Sequence, residues 1–213
     1  MSPDEGRLRE QFRRWGQSLF ERGYTAGSSG NFSARLSDGF LVTPTNSCLG
    51  FLEPEKLSKL DPSGRHVGGD PPTKEVPLHL SFYRARPQAG GVVHLHSTFA
   101  TALSCLEATD AHDTIPPITP YVAMRVGRVP LLPYTHPGSA DVAPLILHAA
   151  VEHSAVLLAN HGPVVSGPAF EEAVFAAEEL EETAKLVFLT QGRAVRRLPN
   201  AAVSELQARF RLR

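Results

Sequence analysis

Two histidines separated by a single residue are the part of this sequence with the clearest chemical potential. His94 and His96 end an apolar run that predicts a β-strand over residues 92–96. Because side chains two positions apart on a strand point to the same face, both imidazoles can bind one metal ion. His161 follows a second apolar run and begins a His-Gly-Pro turn, which makes it the third candidate ligand. Three histidines that leave one coordination position open are typical of a catalytic zinc-type site, whereas isolated histidines are ordinary buried or surface residues.

Two loops contain groups that could hold an anion. The glycine-rich segment at 23–31 has small residues whose backbone N–H groups can surround a phosphate, although a plain connecting loop explains it equally well. Residues 43–46, Thr-Pro-Thr-Asn, follow a predicted strand and offer hydroxyl and amide side chains.

The segment Pro-Thr-Lys-Glu at 72–75 stands at the predicted start of a helix. Free N–H groups, a hydroxyl and an ammonium can all face an anion there. Glu75 alone could merely complement the helix dipole. His79 lies one turn later and is interpreted as structural, because the segment lacks the HExxH pattern of zinc proteases. The glutamate-rich face of residues 171–182 is interpreted as solvated or as facing another subunit.

The apolar periodicity predicts helices and strands that alternate along the chain. The predicted helices lie at about 4–22, 72–85, 100–106, 140–152 and 169–190, with a short helix from about residue 54; the predicted strands lie at 31–36, 40–43, 92–96, 155–160 and 164–165, and loops with short strands fill 115–134. Asp38-Gly39 suits the tight turn of a β-hairpin. We therefore expect an α/β fold with a mixed, mostly antiparallel sheet and helices on both faces.

Length and composition constrain the class of protein. The 213-residue chain can bury a substantial core, and residues 1–213 are expected to form one domain. A formal net charge of −1 gives no basic field for nucleic acid. We also expect no membrane span and no signal peptide. Cys48 and Cys105 predict free thiols, which favours a cytoplasmic location.

Taken in order, the motifs resemble those of the class II aldolase/adducin family. The matching segments are GSSGN at 27–31, TPTN at 43–46, PTKE at 72–75, HLH at 94–96 and NHG at 160–162. The resemblance covers nearly the whole chain. It implies a three-layer α/β/α sandwich that assembles as a homotetramer, with active sites between subunits.

The resemblance also implies a role for each matching residue. His94, His96 and His161 would hold a divalent metal, most often zinc, and Glu75 would be the acid/base and a fourth metal ligand when substrate is absent. The implied substrate- and phosphate-binding residues are Ser29, Gly30, Asn31, Thr45, Asn46, Thr73 and Lys74. Tyr121 aligns loosely with a family tyrosine near the site and would be an auxiliary proton-transfer residue.

Two positions depart from the pattern of the sugar-phosphate aldolases. Asn46 stands where they carry glycine, and Thr73-Lys74 stands where they carry two serines. Lys74 could serve a carboxylate, the phosphate or neither. The segments that look closest to the branch acting on 3-oxo-tetronate 4-phosphates are SLFERGYTAGSSGNFS, LVTPTNSCLGFLEPEKLSKLD, PTKEVPLH and YVAMRVGRVPLLPY.

That branch implies decarboxylation of a phosphorylated sugar acid to dihydroxyacetone phosphate and CO2 through a metal-bound enediolate, in the catabolism of four-carbon acid sugars. Two other enzymatic functions stay open. A fuculose-phosphate-like aldolase would release an aldehyde, and a dehydratase or epimerase would change water content or stereochemistry. A non-enzymatic scaffold like the adducin head domains is disfavoured, because those domains lack the metal ligands that are intact here.

Overall fold

A sheet of eight strands forms the centre of the computed structural model, which describes residues 3–107 and 109–210. The strands are β1 (Asn31–Leu36), β2 (Gly39–Val42), β3 (Ser58–Leu60), β4 (His66–Gly68), β5 (Gly91–His94), β6 (Leu131–Leu132), β7 (Ala155–Leu158) and β8 (Gly162–Gly167). The helices are α1 (Pro3–Glu21), α2 (Val76–Ala85), α3 (Thr98–Ser104), α4 (Pro120–Arg125), α5 (Val142–Ala149), α6 (Phe170–Leu189) and α7 (Asn200–Arg209), with 3-10 turns at Leu49–Phe51 and Pro54–Lys56.

The strand order is β4-β3-β2-β1-β5-β8-β7-β6. All neighbouring pairs are antiparallel except β6 and β7. This arrangement confirms the expected α/β class with a mixed, mostly antiparallel sheet. The assignment of residues 1–213 to one domain stays a prediction, and its residues 1, 2, 108 and 211–213 lie outside the described part. In that part, no helix is long and apolar enough to cross a membrane.

Alternating residues of the strands face two separate cores. Val93 on β5 packs in the core that contains Phe12 of α1 and Phe170 of α6, whose ring centroids lie 4.4 Å apart. Val92, one residue earlier, packs in the core that contains Phe82 of α2 and residues of α5. The period of two that a strand imposes on its side chains therefore produces the three layers.

The register of the central strands brings distant parts of the chain to one end of the sheet. Asn31 at the start of β1 pairs with His94 at the end of β5, and His94 also pairs with Val164 on β8. Leu158 and Gly162 pair across the β7–β8 turn. We call this end of the sheet the histidine end.

The predicted helix at 72–85 begins four residues later than expected, at Val76. Residues 71–73 pair instead with the segment after β2: the Thr45 N–H donates to the Pro71 carbonyl, and the Thr73 N–H donates to the Thr43 carbonyl. Consecutive prolines favour such an extended segment, because the residue before a proline avoids the helical region. The hydroxyl and ammonium at 73–74 thus lie before the helix.

Other element boundaries also differ from the predictions. The strand predicted to reach His96 ends at His94, and the helix predicted over 100–106 spans Thr98–Ser104. Helix α4 lies in the segment predicted to hold only loops and short strands, and α7 was not predicted. Helix α7 has no buried residue, so the sequence offers little apolar periodicity from which to predict it.

Candidate metal and acid/base site

Three histidine side chains converge at the histidine end of the sheet. The Nε2 atom of His94 lies 3.1 Å from Nε2 of His96 and 3.2 Å from Nε2 of His161. His94 is fully buried and His161 nearly so, whereas His96, two residues past β5, is exposed. The predicted cluster is therefore assembled in one chain, with one ligand that opens toward solvent.

The protonation of these rings suits metal binding. Burial lowers the pKa of His94 to about 4 and also lowers the pKa of His96 and of His161, so all three are neutral near pH 7. His94 Nδ1 lies 2.9 Å from the carbonyl oxygen of Pro163. Because a carbonyl can only accept, Nδ1 carries the proton, and the lone pair on Nε2 faces the cluster.

The donor set fits a divalent ion such as zinc. Nitrogen lone pairs that face each other at 3.1 and 3.2 Å repel unless a proton or a cation lies between them. Imidazole nitrogens on tetrahedral zinc are about 3.3 Å apart, given Zn–N bonds of about 2.0–2.1 Å. In the described ranges, the three histidines form a group whose ligand atoms all lie within 4.8 Å of one another. Their spacing is that of ligands around one ion.

Glu75 lies directly before α2 and faces the same cluster. Its Oε2 is 3.4 Å from Nε2 of His94, and its Oε1 is 3.6 Å from Nε2 of His161. Burial acts to raise the pKa of Glu75, but the adjacent His94 and a hydrogen bond from Asn31 lower it, and the net pKa is below its usual value. The carboxylate is placed either to coordinate a cation or to exchange a proton with a molecule bound there.

Asn31 and His79 lie behind Glu75 in a buried set of hydrogen bonds. Asn31 Nδ2 donates to Glu75 Oε2 at 2.7 Å, and Asn31 Oδ1 lies 2.6 Å from His79 Nε2. The other ring nitrogen of His79 lies 2.7 Å from the hydroxyl of Ser33. The interpretation of His79 as structural stays a prediction; the ring is buried, and both of its nitrogens lie within hydrogen-bond distance of protein atoms. The phosphate role of Asn31 stays a prediction, and its amide is turned toward Glu75.

Two glycines allow the strands to approach closely enough to build the cluster. Gly30 has φ +79, and a Cβ there would lie 2.9 Å from the carbonyl oxygen of His94. Gly162 has φ +151, and a Cβ there would lie 2.4 Å from the carbonyl oxygen of Leu95. A side chain at either position would force β1 or the β7–β8 turn away from the end of β5.

The other predicted anion-binding residues form two groups. Ser29, Thr45 and Thr73 each have one polar group hydrogen-bonded within the protein. The Ser29 hydroxyl donates to the Ala26 carbonyl of its own loop at 2.6 Å. The Thr45 N–H donates to the Pro71 carbonyl at 2.9 Å. The Thr73 hydroxyl accepts a hydrogen bond from the Glu75 N–H at 3.3 Å. Asn46 and Lys74 are exposed, so their side chains are open to a ligand.

Within one chain, Tyr121 lies in a different hollow from the cluster. A loop that was not predicted to be part of the site lies next to the cluster instead. Tyr121 is exposed on α4 and lines a different hollow, next to Arg125. Residues 135–139 line the hollow that contains Glu75 and His161. Their sequence, Thr-His-Pro-Gly-Ser, indicates only a turn, so no sequence signal marks this loop as part of the site.

The interpretation of the glutamate-rich face of α6 as solvated or subunit-facing is wrong for one residue. Glu181 is 7% exposed, and its two carboxylate oxygens accept the N–H groups of Phe99 and Ala100, each at 2.8 Å. Ser97, the residue before α3, makes no side-chain cap, and this acid on a neighbouring helix takes that place.

Comparison with known proteins gives a consistent result. The family model described as the class II aldolase and adducin N-terminal domain matches residues 10–188. The chain is 50% identical over 205 residues to the 3-oxo-tetronate 4-phosphate decarboxylase of Escherichia coli K12, covering 96% of this chain and 97% of that protein. It is 36% identical over 160 residues to the L-fuculose phosphate aldolase of Haemophilus influenzae, covering 75% of this chain and 72% of that protein.

The fold agrees with these sequence matches. The crystal structure of YgbL from Escherichia coli aligns with a TM-score of 0.93 at 49% identity, covering 95% of this chain and 99% of that one. The family model spans the histidine cluster and Glu75 together with every strand of the sheet. The chain therefore belongs to the class II aldolase/adducin family.

Proposed function

We propose that this protein is a divalent-metal-dependent carboxy-lyase that converts a 3-oxo-tetronate 4-phosphate to dihydroxyacetone phosphate and CO2. The observation that carries the proposal is the convergence of three neutral imidazoles and one carboxylate at the histidine end of the sheet. The family is divalent-metal dependent. Relatives at 50% identity over nearly the whole chain are named decarboxylases, whereas an L-fuculose phosphate aldolase matches at 36%.

His94, His96 and His161 would hold the metal, and Glu75 would complete the ligand set when no substrate is present. Zinc is the ion proposed, because borderline-soft imidazole ligands suit it. A divalent ion bound there would act as a Lewis acid toward the substrate ketone. The exposure of His96 marks the side of the cluster from which a substrate can enter.

Glu75 would supply the proton that the reaction needs. The bond between C1 and C2 of the substrate breaks, C1 leaves as CO2, and the electron pair passes to the C3 ketone as an enediolate. A proton added at C2 then gives dihydroxyacetone phosphate. The carboxylate of Glu75 adjoins His94 and His161. Because its pKa is lowered, it would first take up a proton from solvent and then deliver that proton to C2 as this general acid.

The exposed residues around the cluster would bind the charged ends of the substrate. Lys74 is adjacent to Glu75 in sequence, which favours a role toward the carboxylate that becomes CO2. Ser29, Gly30, Thr45, Asn46 and Thr73 stay candidates for the phosphate. We further propose a cytoplasmic homotetramer whose active sites lie between subunits. In it, the auxiliary role of Tyr121 requires a neighbouring subunit to bring that residue to the cluster.

The test is to assay the zinc-loaded protein with each 3-oxo-tetronate 4-phosphate epimer, measuring CO2 and dihydroxyacetone phosphate together. We expect equal amounts of both products from one epimer. Release of an aldehyde from a sugar phosphate, with no CO2 from either epimer, would assign the protein to the aldolases instead.

Glu75→Gln provides the control for the acid/base assignment, since it keeps the shape of the side chain and removes its proton-transfer capacity. We expect kcat to fall by about 10²- to 10⁴-fold, the usual contribution of a general acid. The exposed Glu53→Gln is a matched substitution at the surface and should leave kcat unchanged. Full activity of Glu75→Gln would remove Glu75 from the mechanism.

A further inference from the structure

A continuous chain of hydrogen bonds connects Glu75 to the interior between α2 and β1. The successive distances are Glu75 Oε2 to Asn31 Nδ2, 2.7 Å; Asn31 Oδ1 to His79 Nε2, 2.6 Å; His79 Nδ1 to Ser33 Oγ, 2.7 Å; and Ser33 Oγ to Tyr83 Oη, 2.9 Å. The four members behind Glu75 are all buried, with Ser33 and His79 at 0% and 1% exposure. Such a buried chain excludes competing water.

The chain has one direction when Glu75 is ionised. A carboxylate can only accept, so Asn31 must turn its NH2 group toward Glu75 and its carbonyl toward His79. His79 must then carry its proton on Nε2, and its Nδ1 accepts from the hydroxyl of Ser33, whose oxygen accepts from Tyr83. Burial lowers the pKa of His79 to about 3, so the ring stays neutral and can hold this tautomer.

We propose that His79 is a positioning residue for the reaction: by donating to Asn31, it fixes the amide that holds Oε2 of Glu75 and leaves Oε1 for proton transfer. This inference rests on the proposed acid/base function of Glu75. The strand that carries Asn31 pairs with β5 at His94, so the chain ties the orientation of the carboxyl to the strand of a metal ligand.

An acid-orienting role for Asn31 follows from this arrangement. Its NH2 group donates one N–H to Glu75 and its carbonyl accepts from His79, while the second N–H is left for a phosphate. Loss of the amide should therefore lower kcat, whatever its effect on the affinity for a phosphate-bearing ligand. An Asn31 that only binds phosphate would weaken that affinity and leave kcat unchanged.

Two substitutions at His79 distinguish the effect of the Nε2–H donor from the effect of the other atoms of the ring. Glutamine can place an amide nitrogen near the position of Nε2, whereas asparagine reaches only the position of Nδ1. We expect His79→Asn to lower kcat for CO2 release by about 10- to 100-fold, the usual effect of removing a residue that orients a metal-site group. His79→Gln should retain most of the activity. KM, inhibition by dihydroxyacetone phosphate and zinc content should be the same in both variants.

Equal loss of kcat in the two variants would mean that His79 is only structural and would overturn the proposal. A raised inhibition constant for dihydroxyacetone phosphate with unchanged kcat in Asn31→Ala would overturn it as well. Nitrogen-15 NMR of histidine-labelled wild-type protein tests the geometry without any substrate, and we expect the Nε2–H tautomer at His79. The Nδ1–H tautomer would refute the chain. Absence of CO2 from the wild type is a failure of the proposed function, and the NMR measurement still tests His79.

Discussion

Glu181 allows a test of how the long helix α6 supports the metal-binding segment. Its buried carboxylate accepts the N–H groups of Phe99 and Ala100 at 2.8 Å each. Both groups belong to the first turn of α3, where N–H groups lack partners within the helix, and Ser97 makes no side-chain cap. Helix α3 begins two residues after His96. The two hydrogen bonds therefore hold the start of this helix, and with it the proposed metal ligand His96, against α6.

Replacing Glu181 with alanine should lower the free energy of unfolding by about 3 kcal/mol. Hydrogen bonds to a charged group each contribute about 1.5–3 kcal/mol, and part of that sum is offset because the wild-type protein must bury the carboxylate. For a chain of this size, about 3 kcal/mol lowers Tm by roughly 6–12 °C. Glu181→Gln should fall between the wild type and Glu181→Ala, because an NH2 group, which cannot accept, replaces one of the two carboxylate oxygens.

The assay is thermal unfolding of metal-free protein at a fixed protein concentration, followed by titration with zinc. Glu182→Ala is the matched control, since Glu182 is the exposed neighbour on the same helix. It loses only surface contacts such as the hydrogen bond from the Tyr24 hydroxyl, so Tm should change by about 2 °C or less. The weakened start of α3 should also reduce zinc affinity in Glu181→Ala. A Tm equal to that of Glu182→Ala would refute the reasoning.

Three further predictions concern the metal, the pH dependence and the substrate. His96→Ala removes the exposed member of the cluster, so zinc measured by elemental analysis after dialysis should fall far below one per chain; retained zinc would exclude His96 as a ligand. Burial lowers the pKa of His79 from 6.5 to about 3, so below pH 6.5 the unfolded chain binds a proton that the folded protein does not. This one group should then lower the free energy of unfolding by about 1.4 kcal/mol per pH unit as the pH drops from about 6.5 toward 3, in addition to the contribution of the other histidines whose pKa is lowered, and urea titrations should show a flatter slope for His79→Gln. Lys74→Met should raise KM about tenfold or more, the effect of losing one charged hydrogen bond. Inhibition by dihydroxyacetone phosphate should not change, because this product lacks the carboxylate; a parallel loss of inhibition would assign Lys74 to the phosphate.

The histidine cluster could be predicted because its signal is local. Alternation along one strand predicts that His94 and His96 share a face, and the apolar run before His161 predicts a strand end. The observed sheet brings these ends together through the pairing of β5 with β8 and of β8 with β7. Although β5 ends at His94, the Leu95 N–H still donates to the Pro163 carbonyl at 3.2 Å, and the His96 ring remains next to His94.

The contributions of Glu181 and residues 135–139 could not be predicted, because each depends on contacts between distant elements. Glu181 lies among six glutamates at 171–182, and only the position of α3 distinguishes it from the other five, which are exposed or half-buried. The loop at 135–139 lies beside Glu75 because α2 and α5 pack together, and no residue in it has a motif that reports this packing. The late start of α2 has the same origin, since residues 71–73 pair with the segment after β2.

The two departures from the aldolase pattern change side chains while they preserve the backbone. Asn46 has φ +56, a left-handed conformation that asparagine tolerates better than most residues, so it can replace a glycine without a change in the loop. Lys74 is exposed and follows a buried threonine whose hydroxyl still accepts a hydrogen bond at the start of α2. These two loops can thus keep their backbone shape while their exposed side chains differ. Under the proposed function, bond cleavage would depend on the buried residues around Glu75, and the choice of substrate would depend on Asn46 and Lys74.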